Sequence, residues 1–449
     1  MTNERGQWSS KLGFILAAAG SAVGLGNLWK FPYKAGINGG GAFVIVYIAV
    51  LFLVGFSLMI AEIALGRKTQ LNALGAYRAI NKNWGFAGGI GILAGFIILS
   101  FYAVIGGWVI KYLFDSVNGS LFKINAVDYG GHFGSFISSS GSPLFYQGLF
   151  MVLTLVIVLG GVSSGIEKAS KIMMPALFVM MFILMIRSVT LPGAIEGVKF
   201  LFKPDFGKAF TPKVIVDAMG QVFFSLSLGM GCMITYGSYL PKGTNIPFSG
   251  TMILILDSFV ALLAGLVILP AVFSFGFEPG AGPGLMFITI PAIFSKMTFG
   301  NIFAIIFFLL VLFAALTSSI SLLEVCVSYV VDEFKKNRII SSVVLSLIIF
   351  LIGIPSSFAN GAWSDFKILG YNFFDFMDMF ASNILLPLGG LLLCIFVGWV
   401  WNTKNAVHEI QNEGSLKFSI APLWSFIIKF VSPIIIIVIF LTNFGIIKL

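Results

Sequence analysis

Two short clusters of glycine and small residues, residues 20–27 (GSAVGLGN) and 225–231 (SLSLGMG), lie within apolar stretches long enough to cross a bilayer. A glycine costs about 1 kcal/mol relative to alanine inside a helix, so each cluster favours a local break. Backbone freed by such a break is tolerated at membrane depth only where protein buries it or where it lines a cavity. Two interrupted helices in matching positions of two halves indicate the substrate and ion site of a secondary transporter.

The backbone groups that a broken helix exposes predict what each break can bind. Free N–H groups at the start of a half-helix suit a carboxylate, and free carbonyls at the end of a half-helix suit Na⁺ or an ammonium group. The amides of Leu25 and Gly26 are therefore candidates for a substrate carboxylate, and the carbonyls of Gly20, Ala22 and Val23 are candidates for cations. The alternative is that the glycines serve close helix packing. A dinucleotide-binding fingerprint is excluded, because no strand precedes the cluster and its third glycine is missing.

Polar side chains inside other apolar runs add further candidates. Residues 316–319 (LTSS) carry adjacent hydroxyls, which are hard ligands for a small cation, although helical Ser and Thr also bond their own backbone carbonyls. Among the acids in membrane-spanning runs, Glu62 and Asp257 are the candidates for a function, because an acid at membrane depth indicates one. Asp257 could bind a cation or titrate. Glu62 could do chemistry or could equally hold broken backbone amides in place.

The composition indicates an integral membrane protein. The chain has 449 residues, is 58% hydrophobic and only 10% charged, whereas soluble proteins carry about 25% charged residues. A soluble multidomain enzyme is therefore excluded. The net charge of +9 does not indicate a nucleic-acid partner, because the basic residues lie in short loops between apolar runs. Three separated cysteines in apolar runs and two histidines in loops provide no metal site, disulfide framework or His-based catalytic site.

Eleven apolar runs are suited to cross the bilayer. The first is not expected to be a cleaved signal peptide, because its apolar character continues past any cleavage point. Basic residues in short loops predict a cytoplasmic N-terminus in the cell membrane, and an odd number of helices then puts Leu449 outside. The runs span residues 11–37, 41–66, 87–113, 144–161, 166–187, 214–240, 249–276, 301–331, 339–354, 376–401 and 421–446.

The positions of the two breaks predict an inverted repeat. Residues 11–187 form the first set of five helices and residues 214–401 the second, and each set begins with a broken helix. Since five is odd, the second set must be inverted in the membrane. Residues 1–10 are expected to be a cytoplasmic gate segment, residues 402–420 a loop and residues 421–446 a peripheral eleventh helix. The fold class is thus an all-α integral membrane protein with broken helices one and six.

Six motifs in order along the chain resemble the neurotransmitter:sodium symporter family, in its bacterial amino-acid branch. The resemblance runs from Trp8 to about Trp401, which is nearly the whole chain. The motifs are residues 7–14 (QWSSKLGF), 24–33 (GLGNLWKFPY), 38–43 (NGGGAF), 191–194 (LPGA), 220–227 (GQVFFSLS) and 316–319 (LTSS).

The resemblance implies two Na⁺ sites and one amino-acid pocket. The first Na⁺ site would use, with the substrate carboxylate, Ala22 O, Asn27, Ser225 and Asp257. The second would use the carbonyls of Gly20, Val23 and Ala314 and the hydroxyls of Thr317 and Ser318. The substrate amine would meet the carbonyls of Ala22, Phe224 and Ser225, and Tyr102 would bond its carboxylate. Beside Gly24 and Gly26, the pocket would be lined by Ile98, Phe224, Ser227, Met230, Ser318 and Leu322.

The resemblance also implies gates on both sides of the pocket. Lys30 and Asp378 resemble an outer ion pair, with Phe224 as an aromatic lid. The inner side resembles a pair of Arg5 and Asp332 supported by Trp8 and Tyr239. The segment from Gly165 to Pro175 resembles a Gly-x9-Pro element that lets helix five unwind and release Na⁺ inward.

These residues together predict a sodium-coupled importer of neutral hydrophobic L-amino acids, aromatic or large aliphatic, which works by alternating access. Uncharged Gly24 implies that the substrate brings its own carboxylate. Asp257 stands where chloride-dependent relatives carry a neutral Asn, and Ala261 where they carry a chloride-binding Ser, so no chloride requirement is expected. Lys30 in place of the usual Arg loses bidentate pairing. The family's twelfth helix is missing, so a monomer or weak oligomer is expected. An ion channel and a membrane-embedded enzyme are the alternatives.

Overall fold

A computed structural model describes residues 6–124, 128–204, 206–209, 211–277 and 282–447. Within these residues, nine continuous helices are long and apolar enough to cross a membrane. We label them by their place among the eleven spans. They are α2 (Gly41–Thr69), α3 (Lys82–Val117), α4 (Ser142–Leu159), α5 (Val162–Val189), α7 (Ile246–Ser274), α8 (Gly300–Phe334), α9 (Arg338–Phe358), α10 (Phe373–Val400) and α11 (Ala421–Asn443).

The first span is broken where the glycine cluster predicts a break. Its halves are α1a (Lys11–Ala22) and α1b (Gly26–Ile37), bent by 52° from each other. The side chain of Ser10 caps the start of α1a by accepting a hydrogen bond from the Gly13 N–H at 3.0 Å. The helix ends because Val23 leaves helical geometry, with φ −76° and ψ 89°. A π-helical turn then begins α1b.

The sixth span is broken in the same way. Its halves, α6a (Pro212–Ser225) and α6b (Cys232–Gly237), flank a six-residue segment, residues 226–231. Three residues of this segment have positive φ, namely Ser227 at 53°, Gly229 at 76° and Gly231 at 75°. Glycine adopts such a backbone without the Cβ clash that other residues meet, which explains two of the three positions. The all-helical fold with broken first and sixth spans is thus confirmed.

Helices around the two breaks differ in how much of their surface the protein covers. α1a packs against α5, α7 and α8, and α3 packs along α8. In the most apolar part of α3, 72% of residues are buried, whereas only 33% are buried in the corresponding parts of α4, α9 and α11. The more buried helices α3, α7 and α8 therefore enclose the breaks. In contrast, α4, α9 and α11 turn apolar faces outward, as lipid contact requires.

Glu62 on α2 supports the break in the sixth span. Its side chain is 1% exposed, and Oε1 accepts a hydrogen bond from the Gly229 N–H at 2.8 Å. Of the two roles that the sequence leaves open for Glu62, this contact provides the structural one. The carboxylate provides the hydrogen-bond acceptor that a buried backbone N–H needs and that lipid cannot provide.

Short helices and one hairpin connect the spans. Sequence analysis predicts a loop at residues 402–420, but the structure has a helix at Thr403–Ile410. A buried ion pair explains the difference, since Arg67 at the end of α2 donates from Nε to Glu409 Oε1 at 2.8 Å. The other connections are the helices Ala73–Ile80, Tyr129–Ser138, Ala194–Phe202, Phe206–Ala209 and Leu285–Ser295, and an antiparallel pair of strands, Lys367–Ile368 with Tyr371–Asn372.

Candidate ion and substrate site

Three predicted ligands of the first Na⁺ site lie in direct contact. Asp257 on α7 accepts hydrogen bonds at Oδ1 from Asn27 Nδ2 and from Ser225 Oγ, both at 2.8 Å. The Ser225 hydroxyl also lies 3.2 Å from Asn27 Oδ1. All three side chains are at most 1% exposed. The ends of α1 and α6 at their breaks are thereby joined to one carboxylate.

Tyr47 on α2 is a fourth member of this cluster, and sequence analysis misses it. Its hydroxyl donates to Asp257 Oδ2 at 3.1 Å. A single tyrosine in a continuous apolar run carries no signal of such a role. Asn27, Ser225 and Tyr47, the hydrogen-bond partners of the Asp257 side chain among the described residues, are all neutral. A buried carboxylate without a positive partner is costly. The oxygen atoms of this cluster therefore suit a small cation.

The residues of the predicted second Na⁺ site lie between α1a and α8. The Thr317 hydroxyl is 3.1 Å from both Phe313 O and Ala314 O, so it bonds its own helix. A Cβ placed on Gly20 would lie 3.1 Å from Thr317 Cβ, which shows how closely the two helices approach. Beside them, Ser318 Oγ donates across the interface to Ser21 O at 3.2 Å. Val23 lies at the end of α1a, where its backbone leaves the helix.

A small cavity lies between the two breaks. Every residue predicted for the pocket lines it except Leu25, and Ser21 lines it although sequence analysis does not predict this. The Leu25 N–H instead donates to the Tyr102 hydroxyl at 3.3 Å. A Cβ on Gly24 would lie 2.5 Å from Ser318 Oγ, so a side chain there would displace that hydroxyl. The lining residues are Ser21, Ala22, Gly24, Gly26, Ile98, Tyr102, Phe224, Ser225, Ser227, Met230, Ser318 and Leu322.

A larger cavity of about 370 Å³ adjoins the first, and Tyr102 and Phe224 border both. We call it the outer cavity. Lys30 Nζ lies 3.7 Å from Asp378 Oδ1 and 3.9 Å from the centre of the Phe224 ring. The predicted outer pair is therefore in place as one long contact, and the lysine also covers the aromatic ring. Cation–π attraction of this kind adds about 1 kcal/mol at exposed sites.

A second ion pair in the outer cavity is absent from the sequence prediction. Lys34, one turn after Lys30 on α1b, pairs with Asp217 on α6a at 2.5 Å. Asn38 Nδ2 donates to the other Asp217 oxygen at 3.0 Å. The pair links the outer halves of the two broken helices. Only contact between helices far apart in sequence reveals it, since neither residue stands in a motif.

The inner side of the cavity is covered by the segment that precedes α1a. Trp8 is 5% exposed, its indole N–H donates to Tyr236 O at 2.9 Å and its backbone N–H donates to Tyr239 O at 3.3 Å. The Tyr239 hydroxyl donates to Glu324 at 2.6 Å, and Arg338 donates to both oxygens of the same carboxylate. Trp8 and Tyr239 are thus in contact on the inner side, and their support of the inner ion pair stays a prediction.

The predicted inner ion pair involves Arg5, which lies outside the described residues. Its predicted partner Asp332, near the end of α8, accepts a hydrogen bond from the Asn72 N–H at 2.9 Å. Another contact that sequence analysis misses holds the N-terminal segment, because Glu167 on α5 accepts from the hydroxyls of Ser9 and Ser10 at 2.7 and 2.8 Å. In this arrangement α5 is continuously helical through the Gly-x9-Pro element.

Comparisons with known proteins agree with this geometry. The chain matches the sodium:neurotransmitter symporter family over residues 5–126 and 131–448. It is 44% identical over 444 residues to the uncharacterized sodium-dependent transporter YhdH of Bacillus subtilis (strain 168), covering 98% of each chain. It is 29% identical to the human sodium- and chloride-dependent GABA transporter 2, covering 92% of this chain and 75% of that protein.

A solved structure is similar over nearly the full length. The crystal structure of MhsT in complex with L-phenylalanine matches with a TM-score of 0.90 and 45% sequence identity, covering 98% of this chain and 100% of that chain. The family contains secondary transporters rather than enzymes. The chain therefore belongs to the sodium:neurotransmitter symporter family and is a multi-pass, sodium-dependent membrane transporter.

Proposed function

We propose that the protein imports neutral hydrophobic L-amino acids, aromatic or large aliphatic, together with Na⁺. The observation that carries this proposal is the small cavity between the two breaks. Its lining includes Gly24 and Gly26 at the first break and the apolar residues Ile98, Met230 and Leu322, and none of its lining residues is charged. An uncharged, mainly apolar lining with polar backbone at one end suits a zwitterion that carries an apolar side chain.

The two breaks provide opposite partners for the ends of such a substrate. The carboxylate binds the amides of Leu25 and Gly26 and the Tyr102 hydroxyl, while the amine binds the carbonyls of Ala22, Phe224 and Ser225. The Leu25 N–H and the Tyr102 hydroxyl already lie 3.3 Å apart, so one carboxylate oxygen can reach both. Since Gly24 has no side chain, the cavity itself supplies no carboxylate beside the amine.

Two Na⁺ ions are cargo in this proposal. One binds among Ala22 O, Asn27, Ser225 and Asp257 and also contacts the substrate carboxylate. The other binds where α1a meets α8, at the carbonyls of Gly20, Val23 and Ala314 and the hydroxyls of Thr317 and Ser318. A Na⁺ ion about 4 Å from the buried Asp257 carboxylate gains roughly 4 kcal/mol at an effective dielectric constant of 20, before desolvation. This attraction couples ion binding to the geometry of both breaks.

Alternating access follows from what covers the cavity on each side. Trp8 covers the inner side by its bond to Tyr236 O, whereas the outer side is held by the 3.7 Å contact between Lys30 and Asp378 and by the ion pair of Lys34 and Asp217. Opening inward requires loss of the Trp8 contacts and of the Glu167 contacts to Ser9 and Ser10, together with unwinding of α5 between Gly165 and Pro175. Na⁺ can shift this equilibrium only by binding one state more tightly than the other.

The proposal includes a topology and an assembly state. The protein lies in the cell membrane with a cytoplasmic N-terminus and with the end of α11 outside. It acts as a monomer or weak oligomer, because one chain provides both breaks and all the residues that line the small cavity.

The substrate class is tested by uptake into proteoliposomes that hold the purified protein under an inward Na⁺ gradient. Labelled tryptophan or leucine should accumulate, and competition against all twenty amino acids should show the strongest inhibition by large apolar ones, because the lining has no charge. Replacing Na⁺ by choline is the control and should abolish accumulation. Preference for glycine, proline or a charged amino acid would contradict the assignment.

The second Na⁺ site is tested by Thr317→Val, which keeps the side-chain shape and removes one oxygen ligand. Apparent Na⁺ affinity of uptake should fall about tenfold, as expected for the loss of one polar contact to a charged group. The matched control is Thr251→Val on α7, whose hydroxyl donates to its own helix at Pro247 O. If both variants kept the wild-type Na⁺ dependence, Thr317 would not be a ligand.

The buried charge of Asp257 predicts that transport needs no chloride. Ala261, one turn further along α7, is fully buried and offers no hydroxyl for an anion. Replacing chloride by gluconate at constant Na⁺ should leave initial uptake nearly unchanged, whereas Asp257→Asn should lower chloride-free uptake by more than about tenfold. Asp365→Asn, at an exposed position between α9 and α10, is the control. Loss of most wild-type uptake in gluconate would refute chloride independence. A fully active Asp257→Asn variant would show that the charge of Asp257 does not replace chloride.

A further inference from the structure

Three serine hydroxyls line one part of the small cavity, and a fourth lies behind them. Ser21, Ser227 and Ser318 border the cavity, and Ser321 contacts Ser21 from α8. We call these four residues the serine floor. Ser227 Oγ donates to Ser21 O at 2.9 Å, and Ser318 Oγ donates to the same carbonyl at 3.2 Å. Two hydroxyls from different helices therefore bond one carbonyl at the break of α1.

The hydroxyl protons of the serine floor are all engaged within the protein. Ser21 Oγ lies 2.7 Å from Ser321 Oγ, which in turn donates to Ser318 O at 2.8 Å. A hydroxyl has one proton to donate and two lone pairs to accept with. Ser21 also lies 3.2 Å from Ser227 Oγ, and its single proton is used within the floor in either direction. What remains for a ligand in the cavity is acceptor capacity.

The backbone of Ser227 gives a second, independent reason to assign a role to this side chain. Its φ of 53° is in the left-handed region, as at Gly229 and Gly231 in the same segment. A residue with a Cβ is less stable there than glycine, because the Cβ approaches the backbone carbonyl too closely. Strained backbone of this kind is concentrated at functional sites. Serine at this position is strained, but unlike glycine it places a hydroxyl beside the cavity.

We infer that the serine floor accepts a hydrogen bond from the side chain of the substrate. The substrates bound best are then aromatic amino acids with an N–H or O–H on the ring, the indole of tryptophan and the phenol of tyrosine. Phenylalanine and aliphatic amino acids cannot donate this hydrogen bond, so they lack the free energy that it contributes. The remaining lining is mainly apolar and includes the adaptable side chain of Met230, a composition that suits an aromatic ring. This inference rests on the proposed amino-acid transport.

The test compares two ligands of nearly equal shape. In 3-benzothienyl-L-alanine a sulfur atom replaces the indole N–H of tryptophan, which makes the ring more apolar and removes its donor. Equilibrium binding to the purified full-length protein in Na⁺ should be about tenfold tighter for tryptophan than for the analogue, because one buried hydrogen bond is lost. A purely apolar floor would bind the analogue equally well or better, and that result would overturn the inference.

A protein variant tests the other partner of the proposed hydrogen bond, because it removes the acceptor, the Ser227 hydroxyl, and leaves the indole N–H of the ligand unchanged. Ser227→Ala keeps a Cβ at the positive φ and deletes the hydroxyl, so the ratio of the two affinities should fall to about one. Ser319→Ala is the matched control, since Ser319 is buried on α8 but does not line the cavity, and it should keep the wild-type ratio.

The affinity ratio separates this inference from a purely structural role of Ser227. If the hydroxyl only held the Ser21 carbonyl in place, Ser227→Ala would weaken both ligands equally and leave the ratio unchanged, which would overturn the inference. If phenylalanine and leucine bind with Na⁺ while tryptophan has no advantage over its analogue, the transport proposal stands and the inference fails. If no amino acid binds with Na⁺, the transport proposal itself fails.

Discussion

The structure depends on one constraint, which is that backbone freed at membrane depth must find hydrogen-bond partners within the protein. Side chains satisfy part of this need at both breaks. Glu62 accepts from the Gly229 N–H, and the Ser21 carbonyl accepts from Ser227 and Ser318. Gln221 donates to the Gly26 carbonyl at 2.9 Å. Our proposal assigns other backbone groups at the two breaks to the substrate and to Na⁺.

Charge connects the breaks to the rest of the fold. Asp257 joins α7 to Asn27 after the first break, to Ser225 before the second and to Tyr47 on α2. The partners are neutral, so a cation bound there gains most when all four helices are in place. In the proposed mechanism, ion binding therefore favours closure of the cavity, which is the differential binding that a coupled transporter needs. The ion pair of Lys34 and Asp217 links the outer halves of α1 and α6 and favours their moving together.

The sequence predicts those features that leave a local signal. Glycine clusters indicate both breaks, because such clusters are unusual at membrane depth. Asp257 is indicated as functional because it is an acid within an apolar run. Tyr47 and Ser21 leave no such signal, since each is an ordinary residue whose partner comes from a different helix. Asp217 and Glu167 are acids at the starts of apolar runs, where the sequence does not show which helix supplies the partner. The helix at Thr403–Ile410 was missed for the same reason, because it depends on the contact of Glu409 with Arg67. The assignment of individual Na⁺ and substrate ligands stays a prediction.

The central claim is that the site between the breaks binds its amino acid only when a cation occupies the Asp257 cluster. The most direct measurement is equilibrium binding of labelled tryptophan to purified, detergent-solubilised protein, titrated with Na⁺ at constant ionic strength maintained by choline. Without a membrane, no gradient contributes, so the result reports the site alone. The account predicts negligible binding in choline and a rise in affinity with Na⁺ concentration. Equal affinity in choline and in Na⁺ would contradict it.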